Sequence, residues 1–336
     1  MKVGKQSILF ENNPAILEVG CAVGPKEKQG PLSQFFDITV DDVYWGEKTF
    51  EKAESKFMTQ AIFSAINKAS LNLNDIDYIF AGDLLNQCIS SGYTLRDLGV
   101  PFFGLYGACS TFAEANILGA CFVNANYAIK SIATASSHFC ASERQFRMPL
   151  EQGTQMTPTS QWTVTGSGAT LIVKNDNSQI KPCITKATVG RVIDMGIKDI
   201  ANMGAAMAPA AFDTIITHLE DFNLNPDYYD LIITGDLGSL GSKILIEQLK
   251  NYGYDISSKH MDCGVTIFDS ENQKTNMGGS GCGCSASVFC GYIFKRLKNK
   301  EINKVLLVAT GALMSPVSLG QKESIPSIAH AVAIEN

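Results

Sequence analysis

Cys109 is the residue whose type and position are best suited to chemistry. It lies in the segment G-A-C-S, after a short apolar stretch from Phe102 to Leu105 and before a run of small residues. We expect a strand followed by a helix, whose unpaired first amides and dipole favour a negative charge. This position would lower the thiol pKa and make Cys109 a nucleophile, or it would bind a ligand carboxylate. A third interpretation is that Cys109 is a small buried apolar residue.

Further polar side chains extend the candidate site. Ser110 follows the cysteine and either contacts a ligand or caps the helix. Ser136 and His138 end a later strand in S-S-H-F, where the histidine either donates to a carboxylate or is a satisfied structural residue. Arg144 and Arg147 can each pair with a carboxylate through two hydrogen bonds, or they lie in solvent or at a subunit interface. Asp83 follows a glycine and either lies near the pocket, contacting a ligand-bound metal or ordering amides, or stabilises a turn.

A second segment rich in glycine and cysteine, G-G-S-G-C-G-C-S, contributes Gly281 and Cys282. Its glycines permit close approach of the backbone, either to a ligand or between two packed parts of the chain. Cys282 and Cys284 form a C-x-C pair, but no second cysteine or histidine pair lies at metal-site spacing. We therefore predict no zinc or other resident metal centre here.

Composition excludes several functional classes. The chain has 336 residues, so more than one folding unit is expected. A net charge of −6 and the lack of a basic run argue against nucleic acid as a partner. Ten dispersed cysteines in a chain of this size indicate a reducing, cytosolic setting rather than a disulfide framework. The sequence shows no signal peptide and no apolar run long enough to span a membrane.

The elements that must position these residues alternate between strands and helices. A helix is predicted to open at Thr49 or Glu51, because apolar residues follow at helical spacing. The predicted strands are residues 16–23, 77–81, 102–105, 128–135 and 164–173. The connection over residues 136–161 is long and polar, which is typical of a lid or binding loop.

The second part of the chain repeats the plan of the first. N-L-N-D-I-D-Y-I-F-A-G-D-L at 72–84 has a counterpart at 223–237, and Asp83 and Asp236 share the offset of 153. G-A-C-S at 107–110 likewise resembles C-G-C-S at 282–285. Several matches in the same order favour an internal duplication. We predict two α/β halves, residues 1–175 carrying Cys109 and residues 176–336.

Two duplicated α/β halves with a cysteine at a helix start resemble the thiolase fold, in particular the ketoacyl-acyl-carrier-protein synthase III family. This resemblance implies a layered α/β/α/β/α arrangement, a homodimer, and a cysteine that attacks acyl thioesters with help from a histidine and an asparagine of the second half. Cys109 matches the family cysteine. Gly235 or Asp236 lies where the histidine is expected, and Cys282 lies where the asparagine is expected. Both departures remove groups that stabilise an oxyanion or move a proton.

Six further segments, among them G-K-Q-S-I-L-F, T-P-T-S-Q-W-T-V-T-G-S-G-A and N-M-G-A-A-M-A-P-A-A, resemble the stage V sporulation protein AD family across the whole chain. This resemblance implies a non-catalytic protein that binds dipicolinic acid, with or without chelated calcium. It also implies a peripheral place on the cytosolic face of the spore inner membrane, with SpoVA membrane proteins as partners. The ligand-binding residues expected on this basis are Asp83, Cys109, Ser110, Ser136, His138, Arg144, Gly281 and Cys282. An active acyltransferase using Cys109 and a purely structural scaffold are the alternatives.

Overall fold

The computed structural model describes residues 1–146, 156–175 and 180–336. Within these ranges the strands are β1 (Lys2–Val3), β2 (Ser7–Leu9), β3 (Ala15–Val23), β4 (Ile38–Thr39), β5 (Tyr78–Gly82), β6 (Phe102–Leu105), β7 (Lys130–Ser137), β8 (Trp162–Thr163), β9 (Gly166–Val173), β10 (Cys183–Thr188), β11 (Leu231–Thr234), β12 (His260–Asp262), β13 (Gly279–Ser280), β14 (Lys304–Ala312) and β15 (Ser327–Glu335). The helices are α1 (Pro25–Lys28), α2 (Phe50–Lys68), α3 (Ile89–Leu98), α4 (Thr111–Asn124), α5 (Phe139–Phe146), α6 (Met203–Asp221), α7 (Gly238–Tyr252), α8 (Cys263–Ile267), α9 (Cys282–Val288), α10 (Phe294–Lys298) and α11 (Pro316–Gly320).

Most of the strands form one mixed sheet in the order β12-β11-β14-β15-β10-β3-β9-β7-β5-β6. The five on one side come from the first part of the chain, and the five on the other side come from the second. β5 runs parallel to β6 and β7, just as β11 runs parallel to β12 and β14. The two sets meet where Ala15 pairs with Cys183. The strand order is thus repeated about the centre of the sheet.

Helices cover both faces of each set of strands. Leu171 packs into an apolar cluster with α2, whereas its neighbour Ile172 packs into the cluster that contains α4. In the other set, Leu306 packs with α6 and Leu307 packs with the cluster of α4 and α9. Successive side chains of a strand point to opposite faces, so α4 and α9 lie between the two sets of strands. The layered α/β prediction is confirmed, while the division into halves at residue 175 stays a prediction.

Local sequence patterns predicted the bounds of several helices and strands to within a few residues. The Thr49 hydroxyl accepts a hydrogen bond from the Lys52 amide over 3.3 Å, so it is the N-cap of α2 as its residue type predicts. The predicted strand Phe102–Leu105 matches β6, and the strand predicted at residues 128–135 begins at Lys130. In the described ranges, none of the helices has the length and apolar character needed to cross a bilayer.

Candidate functional site

A left-handed turn holds Cys109 at the start of α4. Ala108, directly before it, has a φ of +50°, which is unfavourable for a residue with a side chain. The Ser110 hydroxyl donates to the Gly107 carbonyl over 2.7 Å, and the Thr111 hydroxyl donates to the Ala108 carbonyl over 2.7 Å. These two bonds stabilise the turn. Ser110 is fully buried and makes no side-chain cap on α4, so its hydroxyl serves the turn rather than the space above the thiol.

Asp236 and Gly281 reach the same thiol from the second part of the chain. Asp236 follows β11, and its carboxylate is close enough to the Cys109 thiol for each group to shift the pKa of the other. The same carboxylate accepts from the Gly281 amide over 3.1 Å and from the Thr310 hydroxyl over 2.8 Å. Gly281 has a φ of +102°, and a Cβ there would lie 2.7 Å from the Ser137 hydroxyl, so only glycine fits.

This arrangement keeps Cys109 protonated. Burial, the Asp236 carboxylate and the Cys282 thiol raise the pKa of Cys109 well above its ordinary value, and the Gly281 amide opposes them only in part. Burial also raises the pKa of Asp236 to about 7, although hydrogen bonds from Cys109 and Thr310 favour the ionised form. A thiol with a raised pKa is a poor nucleophile near neutral pH.

A pocket opens above Cys109. With its mouth it encloses about 450 Å³, of which only about 30 Å³ has room for the centre of a water molecule. It is lined by Leu84, Tyr106, Ala108, Cys109, Glu143, Thr163, Met203, Ser280, Ala312 and Met314. Tyr106 and Met314 also line a wider recess that adjoins the pocket and encloses about 810 Å³ with its mouth. The pocket is therefore a narrow, largely apolar slot with polar groups at its edges and a vestibule outside.

Cys282 and Ser136 lie behind the thiol rather than in the slot. The Cys282 thiol donates to the Ser136 carbonyl over 2.9 Å, and the Ser136 hydroxyl donates to Glu54 over 3.0 Å. All three side chains are buried. Burial first, and then the nearby Asp83 carboxylate, raise the pKa of Glu54 well above its ordinary value. The two predicted residues thus belong to a polar network beneath the pocket floor.

Asp83 is also placed behind the pocket, not in its lining. It is fully buried and accepts hydrogen bonds from the Leu85 amide over 2.9 Å and from the Ser91 amide over 2.8 Å. The Ser91 hydroxyl donates to the same carboxylate over 2.6 Å. Burial raises the pKa of Asp83, and the two Ser91 bonds oppose that shift. The contacts are those of a side chain that stabilises the turn before α3.

His138 lies away from Cys109, in an aromatic pocket beside α2. Its ring packs at 5.3 Å from the ring of Phe50 and at 6.4 Å from that of Phe57, measured between centroids. Nε2 is 2.8 Å from the carbonyl oxygen of Val43. Burial lowers the pKa of His138 to about 4, so the ring is neutral at physiological pH. These contacts agree with a structural role, but Nδ1 is buried without a hydrogen-bond partner, so the ring is satisfied at one nitrogen and not at the other.

Arg144 is an exposed residue of α5 that forms an ion pair with Glu51 of α2. The pair links two helices at the surface, outside the pocket lining. Arg147, which the sequence offers as a second carboxylate partner in the same loop, lies outside the described residues. Of the predicted site residues, the structure brings Cys109, Gly281 and Cys282 together.

Several residues in or behind the pocket are absent from the ligand-binding residues predicted from the sequence. Asp236, behind the pocket, had a signal, since it lies at the expected histidine position and repeats Asp83 at an offset of 153. Thr163 belongs to the quoted segment T-P-T-S-Q-W-T-V-T-G-S-G-A, which offers hydroxyl groups, whereas Glu143 had no signal. Thr163 donates to Glu143 over 2.7 Å, and that bond joins two segments whose approach depends on the path of the connection between them. Tyr106 lies in the quoted Cys109 segment but carried no distinctive pattern.

Comparison with known structures gives the fold. The 3-oxoacyl-[acyl-carrier-protein] synthase III of Aquifex aeolicus superposes with a TM-score of 0.59 and 14% identity over 96% of this chain and all of that one. OleA of Xanthomonas campestris, in a cerulenin-bound crystal structure, gives a TM-score of 0.64 and 15% identity over 98% of both chains. At such low identity the likeness extends to the thiolase-like fold and not to the reaction.

Comparison of sequences gives the family. The family model for "Stage V sporulation protein AD (SpoVAD)" matches residues 4–335. The stage V sporulation protein AD of Bacillus subtilis (strain 168) is 46% identical over 332 residues, which span 99% of this chain and 97% of that protein. With a thiolase-like fold and both matches covering nearly its full length, the chain belongs to the stage V sporulation protein AD family.

Proposed function

We propose that this protein binds dipicolinate without catalysis, in the slot above Cys109, and so serves the uptake and release of dipicolinate during sporulation and germination. The observation that carries the proposal is the contact between Asp236 and the Cys109 thiol. It leaves the pocket of an acyl-enzyme fold open while it keeps the thiol protonated. Membership in a sporulation family directs the choice of ligand toward a molecule of the spore.

The same contact argues against acyl transfer. A catalytic cysteine must ionise, and burial together with Asp236 raises the pKa of Cys109 instead. Cys282, at the expected asparagine position, donates its thiol proton to the Ser136 carbonyl and so faces away from the slot. Cys282 therefore offers no donor to a thioester carbonyl in the slot, and Asp236 repels a developing oxyanion whenever it is ionised.

The shape and lining of the slot suit a flat aromatic acid. Leu84, Ala312 and the methionines 203 and 314 offer apolar surface to a ring, and unbranched thioether side chains adapt to an inserted plane. Ser280 contributes a hydroxyl group to the lining, which can donate to a carboxylate. Glu143 adds a carboxyl group, the type of oxygen ligand that calcium prefers, which suits the calcium chelate as well as the free acid.

The proposed assembly is a homodimer formed at the edge strand β6. This strand ends the sheet, and its Phe102 and Phe103 are 41% and 45% exposed. Tyr127 and Ile129 are 70% and 61% exposed, although they are large apolar residues. An unpaired edge with aromatic side chains is a surface that a second copy can extend and cover. Sedimentation should give a dimer for the native chain and a monomer for Phe102→Glu.

We further propose that the protein acts at the cytosolic face of the spore inner membrane as a peripheral partner of SpoVA membrane proteins. Family membership supports this place. Flotation of the native protein with membranes that contain those partners, compared with membranes that lack them, tests it. Equal recovery in both samples would contradict a protein partner.

Isothermal titration with dipicolinate, with and without calcium, tests the ligand. Ala312→Phe should fill the slot and weaken binding at least tenfold, while Ala125→Phe makes the same change at an exposed position at the end of α4 and should not. Circular dichroism of both variants checks that each is folded. Absence of binding by the native protein at millimolar dipicolinate would refute the proposal and favour a structural scaffold.

Incubation with acyl-CoA tests the enzymatic alternative. Mass spectrometry should find Cys109 unmodified after incubation. A stable acyl adduct on Cys109, accompanied by release of free CoA with turnover, would instead establish an acyltransferase.

A further inference from the structure

Asp236 is a buried carboxyl group behind Cys109, whose thiol lines the proposed ligand slot. The titratable groups that face it are the Cys109 thiol before α4, Asp262 and Cys263 at the start of α8, and Cys282 and Cys284 in α9. The Asp262 carboxylate disfavours a second charge on Asp236. Among the described residues that line the slot there is no lysine or arginine, and Glu143 adds a further carboxyl group.

The hydrogen bonds of Asp236 are suited to both of its protonation states. The Gly281 amide can donate to Oδ2 whether or not the group is ionised. At Oδ1 the partner is the Thr310 hydroxyl, which can donate to a carboxylate or accept from a carboxylic acid. The Cys109 thiol has the same freedom, since sulfur is also a weak acceptor. Protonation therefore removes none of these contacts, unlike at a carboxylate surrounded by amides alone.

We propose that Asp236 takes up a proton when an anionic ligand occupies the slot, so that ligand binding is coupled to protonation and strengthens as pH falls. The inference rests on the proposed function, because it concerns the same slot and the same ligand. An incoming dianion would otherwise lie with only the Cys109 side chain between it and a buried carboxylate. Repulsion between like charges in a buried site favours neutralisation of one of them.

The pH range over which affinity should change follows from the pKa of Asp236 in the ligand-free protein. With the pKa of Asp236 at about 7, the group is mostly ionised at pH 8 and mostly protonated at pH 6. If the complex holds the proton throughout, affinity for the dianion is about tenfold weaker at pH 8 than at pH 6, and binding at pH 8 takes up about one proton. Free dipicolinate does not contribute, because its carboxyl groups titrate well below about pH 6.

The experiment is calorimetry of the full chain with dipicolinate in calcium-free solution at pH 6, 7 and 8. Each titration is done in two buffers with different ionisation enthalpies, which gives the number of protons taken up. The native protein should take up about one proton per ligand at pH 8 and nearly none at pH 6. This measurement needs no variant, so it stands even if substitutions disturb the fold.

Asp236→Asn then tests whether Asp236 is the group that takes up the proton. The amide is neutral and isosteric, so its affinity should no longer vary with pH and its proton uptake should fall to nearly zero. Glu27→Gln is the matched control, because Glu27 is another fully buried acid whose pKa burial raises to about 7, but it bonds to the Thr165 amide rather than neighbouring a side chain that lines the slot. Glu27→Gln should keep the native pH dependence.

Binding without proton uptake, or the same pH dependence in Asp236→Asn as in the native protein, would overturn the coupling and leave the proposed function standing. Failure of the native protein to bind dipicolinate at any of the three pH values would refute the proposed function itself, and the coupling with it.

Discussion

Asp83 and Asp236 follow equivalent strands in the two parts of the chain, each in a Gly-Asp pair, yet their surroundings differ. Asp83 accepts its hydrogen bonds from Leu85 and Ser91, which follow it closely in sequence. Asp236 instead contacts the Cys109 thiol, from the other part of the chain, and accepts from Gly281 and Thr310. One copy of the motif stabilises its own turn, and the other faces the ligand slot.

Asp83 stabilises the turn before α3 in the first part of the chain, and Asp262 stabilises the turn before α7 in the second. Asp262 is the last residue of β12 and accepts from the Leu237 amide over 2.8 Å and from the Gly238 amide over 3.1 Å, where the chain enters α7. It also caps α8 through the Val265 amide. Because Asp262 fixes this turn, Asp236 is free to point at the thiol. The two Gly-Asp pairs thus have different roles, one in its own turn and the other beside the Cys109 thiol.

The largest expected effect is that of Asp262→Asn. Three backbone amides and the Thr234 hydroxyl donate to this carboxylate. An asparagine would turn its own NH₂ group toward at least one of these amides and leave buried donors unpaired. We expect the free energy of unfolding at pH 7, from urea denaturation, to fall by about 3–5 kcal/mol. A loss below about 1 kcal/mol would show that Asp262 does not hold the turn.

Asp83→Asn should be the next most destabilising change. Both of its oxygens accept from backbone amides, so the same conflict arises and we expect a loss of about 2–4 kcal/mol in the same assay. The folded fraction should bind dipicolinate as tightly as the native protein, because Asp83 does not line the slot. Weakened binding with unchanged stability would instead return Asp83 to the ligand site, as the sequence first predicted.

Asp236→Asn should instead increase the free energy of unfolding. The pKa of Asp236 rises on folding to about 7, so the buried group opposes folding once the unfolded carboxyl is ionised, and this cost grows until about pH 7. A neutral isostere removes that cost, so we expect the variant to be more stable at pH 8 by about 1–4 kcal/mol. The gain should shrink at pH 5 and disappear near pH 4. A loss of stability at pH 8 would contradict the comparison.

The sequence predicts those features of the two aspartates and their surroundings that depend on local pattern. Strand and helix periodicity, the Thr49 cap and the offset of 153 between Asp83 and Asp236 are all properties of short segments. The position of Cys109 before a helix belongs to the same class. The fold followed because repeated strands and helices of this kind have few ways to pack.

The hydrogen-bond, ion-pair and packing partners of the side chains could not be predicted from local pattern, because tertiary contacts determine them. His138 is neutral and structural because Phe50 and Phe57, far earlier in the chain, enclose it. Arg144 has its partner on α2. The two Gly-Asp pairs are alike in sequence, so the sequence alone cannot tell which aspartate has hydrogen-bond donors close by. For this reason the sequence predicts Asp83 as a ligand-binding residue.

The smallest expected effects concern the two cysteine-containing turns, which keep the same hydrogen bond. The Ser110 hydroxyl donates three residues back to Gly107 over 2.7 Å, and the Ser285 hydroxyl donates three residues back to Cys282 over 3.4 Å. Because the second bond is longer and weaker, Ser110→Ala should cost about 1 kcal/mol and Ser285→Ala about half of that. Thermal unfolding measures both. Since the Ser110 hydroxyl is occupied within the turn, Ser110→Ala should keep native dipicolinate affinity, and a drop beyond about threefold would mean that this hydroxyl also contacts the ligand.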